Sequence, residues 1–133
     1  VGSYGFTNHF ERSSHEISSI SAIKAPVEFI RKNYHQDISI EELAKLAFLS
    51  ISALERRFKK YLSKTPKRFL NEIRLENARR LLIETQQPIM EIAYQCGFSE
   101  HSYFSKQFKA FFGVLPSQLR QKSLESNLPD GTT

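Results

Sequence analysis

From Ile20 onward the apolar residues recur every three or four positions, and no stretch alternates in the two-residue rhythm of a strand. The spacing predicts seven helices. The first runs from about Ile20 to Tyr34, with Ile23, Val27 and Ile30 on one face. Pro26 suits a helix only in its first turn, so the regular part is expected to start near Ala25. Ser39 and Glu42 form a capping box that opens a second helix, ending near Ala47. Ser50 opens a third, through Leu62. Thr65-Pro66 is a cap followed by proline at the first helical position, and the long helix it starts reaches about Glu84. Pro88 starts a fifth helix that ends at Cys96-Gly97, Ser99 opens a sixth that ends at Gly113, and Pro116 starts a short seventh.

Two of these helix pairs repeat each other. Ile40, Glu42, Leu43, Ala44, Leu49 and Ser50 align at one offset with Ile89, Glu91, Ile92, Ala93, Phe98 and Ser99. After one extra residue, Leu54, Phe58, Lys59 and Pro66 align with Phe104, Phe108, Lys109 and Pro116. A short helix with Ala at its middle, a tight turn, a Ser cap and a second helix make a helix-turn-helix. Ala44 and Ala93 suit close helix approach, and Gly97 suits a turn that needs positive φ. The fold class expected is therefore all-α: a seven-helix bundle with two helix-turn-helix units joined by a long linker helix. The first unit takes about residues 21–65, the linker helix 66–84 and the second unit 86–122. Residues 1–20 read as a linker, a tag remnant or the end of a missing upstream domain, and 123–133 as a disordered tail.

The repeat separates core from surface. Phe104, Phe108 and Phe111 lie at i, i+4 and i+7 on one face and, with Phe98, form the expected core of the second unit. The opposite face carries Ser102, Lys106 and Lys109, flanked by His101 and Ser105. In the third helix, the face opposite Leu54 and Phe58 carries Ser52, Arg56 and Lys59, flanked by Glu55 and Lys60. Small polar residues near the helix start and a base one turn later suit a reader of the major groove.

Composition and charge strengthen that picture. The chain has 133 residues, 40% hydrophobic and 25% charged, with a net charge of +5. Between Arg56 and Arg80 stand ten Lys or Arg against two acids, Glu72 and Glu76, a cluster that favours polyanions. Nucleic acid is the first candidate and an anionic membrane surface the second; no apolar run approaches membrane-spanning length, and no membrane partner is expected. The single cysteine, Cys96, reads as a buried apolar residue. His9, His15, His35 and His101 have no metal-ligand spacing with it. Nothing arranges a nucleophile with a base, and no glycine-rich phosphate loop is present. An enzyme, a metal and a cofactor are thus not expected. The competing class is a basic helical module that binds an acidic protein without specific DNA readout.

Residues from about 22 to 122 resemble the DNA-binding domain of AraC/XylS-type bacterial transcription regulators. The motifs that carry the likeness are ISIEELAKLAFLSISALERRFKK, IRLENARRLLIET and IMEIAYQCGFSEHSYFSKQFKAFFGVLPSQLR. The resemblance implies sequence-specific binding of double-stranded DNA in the bacterial cytoplasm, with the second helix of each unit in successive major grooves. The linker helix, about 28 Å long at 1.5 Å per residue, suits sites one DNA turn apart, roughly 34 Å. By the same likeness Ser52, Glu55, Arg56, His101, Ser102 and Lys106 face the bases. Phosphate contacts are expected from Ser39, Ser50 and Ser99 near helix N-termini, from Lys67 and Arg68 at the start of the linker helix, and from Lys59, Lys60, Ser105 and Lys109. RNA polymerase is an implied partner if the protein is an activator, and the resemblance leaves two arrangements open, a sensing or dimerising domain upstream or a protein that works with this domain alone. Three residues depart from the family pattern. Phe48 stands where a glycine is frequent, Ser63 where the second unit has Gly113, and Lys106 where many members have Arg. The first unit's turn and exit are accordingly expected to be strained or shifted.

Overall fold

The computed structural model describes residues 20–126, which are helical apart from short connections. Helix α1 covers 20–33. It is followed by α2 (Ile40–Leu46), α3 (Ile51–Leu62), α4 (Pro66–Glu84), α5 (Ile89–Gln95), α6 (His101–Phe112) and α7 (Pro116–Ser126). The chain forms two compact units. Unit 1 holds residues 20–33 and 38–69, and unit 2 holds 34–37 and 70–126.

Three expectations about element ends are corrected. Helix α1 is already helical at residue 20, so Pro26 lies inside it rather than in a first turn beginning near Ala25. Its ring is fully buried, and that packing offsets the loss of the hydrogen bond that a proline cannot donate. Helix α6 is capped one residue later than the sequence suggests: the N-cap is Glu100, with no side-chain cap bond, and not Ser99. Helix α7 continues through Ser126, past the tail boundary placed at residue 123, with Leu119 packed on the core of unit 2. The remainder of that tail, and residues 1–19, lie outside the described residues.

In unit 1, Ile23, Ile30, Leu43, Ala44, Leu54 and Phe58 are buried. Phe58 meets Phe69 edge-on, with ring centres 6.0 Å apart. The Arg31 guanidinium lies 5.5 Å from the centre of the Phe69 ring. In unit 2, Leu75, Ala78 and Leu82 of α4 close with Ile92, Ala93, Cys96, Phe98, Phe104 and Phe108 into one buried cluster. Phe111 and Phe112 pack at its edge. The phenylalanine-rich stretch is therefore core.

The repeat in the sequence is also a repeat in the backbone. In unit 1, Leu49 N–H donates to the Ala44 carbonyl (3.0 Å) and Phe48 N–H to that of Lys45 (3.1 Å). In unit 2, Phe98 N–H donates to Ala93 (3.0 Å) and Gly97 N–H to Tyr94 (3.1 Å). Both turns are Schellman motifs, which need a left-handed residue after the helix. Phe48 (φ 55°) and Gly97 (φ 103°) supply it. Left-handed residues also end the two outer helices, Ser63 (φ 61°) after α3 and Gly113 (φ 81°) after α6. The first unit's turn is thus strained but not shifted.

Candidate nucleic-acid interface

Each unit presents the outer helix of its pair to solvent. On α3, Ser52, Glu55, Arg56, Lys59 and Lys60 are all exposed, while Leu54 and Phe58 are completely buried. On α6, His101, Ser102, Lys106 and Lys109 are exposed, opposite the buried Phe104 and Phe108, and Ser105 is half-buried. Hence all six residues expected to read bases lie on accessible faces, three in each unit. Half-buried beside them, Gln107 accepts a 3.2 Å hydrogen bond from Asn71 Nδ2, which ties α6 to the linker helix.

The caps orient these helices. Ser50 Oγ accepts from Ala53 N–H at 3.1 Å and fixes the start of α3. Ser39 Oγ does the same for α2, accepting from Glu42 N–H at 3.1 Å, and Thr65 Oγ1 does so for α4, accepting from Arg68 N–H at 3.1 Å. Each of these hydroxyls keeps its own proton for another acceptor, such as a phosphate oxygen. Ser99 is exposed but caps nothing, so the expectation that it does so in α6 fails. At the start of α7, Leu115 N–H donates to Gln118 Oε1 at 2.9 Å.

Acid placement differs between the two helices of each pair. The inner helices carry acids in their first turns, Glu41 and Glu42 on α2 and Glu91 on α5. The outer helices, α3 and α6, carry none in theirs. First-turn acids would offset the positive end of the helix dipole, so its attraction for anions is less opposed at the start of α3 than at those of α2 and α5, while the Glu100 cap opposes it at the start of α6. Lys67 and Arg68 stand exposed in the first turn of α4.

Not every base in the cluster is available to a ligand. Arg74 donates from Nε to the Tyr34 carbonyl and from Nη2 to that of Gln36, both at 2.7 Å. It therefore docks onto carbonyls rather than onto acids. Burial lowers the pKa of its guanidinium, and the charge of Asp37 opposes that shift. Arg79 lies 5.6 Å from the centre of the Phe112 ring. Arg80 pairs with Glu84 at 3.4 Å and donates to Asn77 at 3.2 Å.

Arg120 is a structural anchor that sequence reasoning missed. It donates to the carbonyls of Leu82 (3.2 Å), Thr85 (3.2 Å) and Gln87 (2.5 Å), at and just beyond the end of α4. The last turn of a helix leaves carbonyls without donors, and Arg120 supplies them. The spacing Pro116-Ser-x-x-Arg120 was the available signal, since it puts one base at the start of the second turn of a helix returning over the core.

Cys96 is completely buried, and burial pushes its thiol up to about 11, against the smaller opposing pull of Arg80 and Arg74. Among the described residues no group of His, Cys, Asp and Glu could hold a metal ion. Among them also, no helix is long and apolar enough to cross a membrane.

Two exposed, basic outer helices on repeated helix-turn-helix frames define a protein built to lay helices against a polyanion. The known protein families agree. A family model described as a helix-turn-helix domain matches residues 43–122. The chain is 34% identical over 105 residues to the HTH-type transcriptional regulator ArgR of Pseudomonas aeruginosa, covering 79% of this chain and 32% of that protein. It is 34% identical over 106 residues to the HTH-type transcriptional activator RhaS of Pectobacterium carotovorum, covering 80% and 38%. An AraC-type DNA-binding regulator from Chromobacterium violaceum superposes with a TM-score of 0.73 at 31% identity, over 77% of this chain and 92% of that one. The DNA-binding domain of AdpA, solved in complex with a target DNA, gives 0.73 at 25% identity over 77% and 92%. The chain belongs to the AraC-type helix-turn-helix family, a family of transcription regulators rather than of enzymes. It spans about a third of the length of the curated relatives it matches.

Proposed function

We propose that this chain is the sequence-specific, double-stranded-DNA-binding part of a bacterial transcription regulator. The observation that carries the reading is the pair of exposed faces, Ser52/Glu55/Arg56 on α3 and His101/Ser102/Lys106 on α6, each backed by a buried aromatic or aliphatic row. In this reading the two helices enter successive major grooves. Arg56 is suited to a forked contact with guanine, Glu55 to accepting from cytosine, and Lys106 to a point contact at a guanine edge. Ser39, Ser50, Lys59, Lys60, Lys67, Arg68, Ser99, Ser105 and Lys109 contribute phosphate contacts, which supply affinity and register rather than specificity. The cytoplasm is the proposed compartment. The activator named among the relatives supports RNA polymerase as a partner, and the relatives' greater length supports a further sensing or dimerising domain in the whole regulator.

The test is selection from a random double-stranded DNA library at near-physiological salt with excess competitor. Two short enriched motifs about one helical turn apart are expected. Arg56→Ala and Lys106→Ala should each weaken the selected site by about 1–3 kcal/mol and relax one or two base pairs, in different motifs. Loss that is uniform across sequences would reassign that residue to phosphate. No enrichment, with binding to acidic polymers retained, would replace the reading with that of a protein-interaction module.

A further inference from the structure

Ile51 is the first residue of α3, directly after the Ser50 cap, and it is 37% exposed. It was not among the residues expected to contact DNA. It continues the row of Leu54 and Phe58 at i, i+3 and i+7, but those two are completely buried, whereas Ile51 at the helix tip keeps more than a third of its surface open. The internal repeat makes the same point. The matching first residue of α6 is His101, which is exposed, so the second unit places a polar group at this position on the same backbone frame.

Side chains on a helix lean toward its N-terminus. A residue at the first position therefore projects at the tip of α3, ahead of Ser52, Glu55 and Arg56. In the reading proposed above, that tip is the part of the helix that approaches base edges. Isoleucine has no donor or acceptor to offer there. The apolar feature that base pairs present in the major groove is the C5-methyl group of thymine.

We propose that Ile51 is a specificity-determining residue of the first unit, reading a thymine through its C5-methyl group. This rests on the DNA-binding reading and adds to it one base preference. The two units then differ in chemistry at equivalent tips: an apolar contact from Ile51 in the first, a polar one from His101 in the second. The neighbouring apolar candidate is Phe48, which is 95% exposed on the turn before α3, and the test separates the two.

The experiment uses the selected site, with the first unit's motif identified as the one that Arg56→Ala relaxes. Each thymine of that motif is replaced in turn by deoxyuridine, which removes the methyl group and nothing else. One replacement should weaken wild-type binding about three- to fivefold, the size expected for one buried methyl group. Ile51→Ala should bind the intact site more weakly by a similar factor and be indifferent to that replacement, whereas Ile51→Val should keep the sensitivity. Ile51→His installs the side chain that the second unit already carries at this place, so it should fold and also lose the sensitivity. The inference is overturned if no deoxyuridine weakens the wild type, if the sensitivity persists in Ile51→Ala or Ile51→His, or if Phe48→Ala abolishes it instead. A selection that yields no motif would remove the DNA-binding reading and this inference together. A clear motif without methyl dependence would remove this inference alone.

Discussion

Phe48 and Gly97 occupy the same place in the two turns, and they differ because of what the fold brings beside them. A Cβ built on Gly97 would stand 2.7 Å from Arg74 Nε and 2.8 Å from the Tyr34 carbonyl oxygen, at a φ of +103°. Gly97→Ala should therefore cost more than about 2 kcal/mol, from strain and from displacing Arg74. Gly113→Ala, at φ +81° with nothing near its Cβ, should cost only about 1 kcal/mol. Phe48 is 95% exposed, so its left-handed backbone gains nothing from burial of the side chain. Phe48→Gly should stabilise the protein by up to about 1 kcal/mol, since relief of strain exceeds the added chain entropy. Urea titration of the three variants checks this ordering. Cys96 gives a second residue-scale prediction. Its thiol holds its proton to about 11 in the folded state, whereas an unfolded thiol loses it near 8.5. The unfolded state then binds fewer protons, so stability should fall as pH rises across that window. Cys96→Ala should flatten this part of a melting-temperature profile.

At the scale of elements, the helices are set by caps and the pairs by anchors. The boundaries of α2, α3 and α4 were legible because Ser39, Ser50 and Thr65 announce themselves by local chemistry. The start of α6 was not, because two polar residues stand in succession and the backbone, not the side chain, chose Glu100. Pro26 departs from its local rule for a similar reason: its cost is local, while the burial that offsets it is tertiary. Arg120 ties α7 to the end of α4 through three carbonyls. Arg120→Met keeps much of the apolar stem and removes the donors. It should cost about 1–3 kcal/mol and speed amide exchange in the last turn of α4, while leaving the exposed faces of α3 and α6 intact. An unchanged exchange rate there would mean that water serves those carbonyls equally well.

At the scale of the molecule, charge is divided along the chain. Arg56 to Arg80 holds ten bases, whereas Leu81 to Ser105 holds Glu84, Glu91 and Glu100 and no Lys or Arg. Met90 and Tyr94 are well exposed in that second stretch, and the surface of α5 offers no cation to a phosphate. Of the ten bases, Arg74, Arg79 and Arg80 are engaged within unit 2. The salt dependence of DNA binding should thus be carried by a subset. Lys59→Gln and Lys67→Gln should each lower the slope of log K against log salt by about one, equally for specific and non-specific DNA. Arg79→Gln should leave the slope unchanged.

The sequence by itself determined the helices, the internal repeat, the buried row of each outer helix and therefore the face each turns outward. All of these follow from residue spacing and short-range capping, which act within a turn or two of helix. The tertiary structure decided which bases are free. Arg74 looks no different in sequence from Arg56, yet it and Arg120 end on backbone carbonyls contributed by residues some 33 to 40 positions away. It decided as well that a phenylalanine can hold a left-handed turn in unit 1, where in unit 2 only a hydrogen atom fits beside Arg74. Contacts of that range depend on which segments the fold brings together, and spacing along the chain does not encode them.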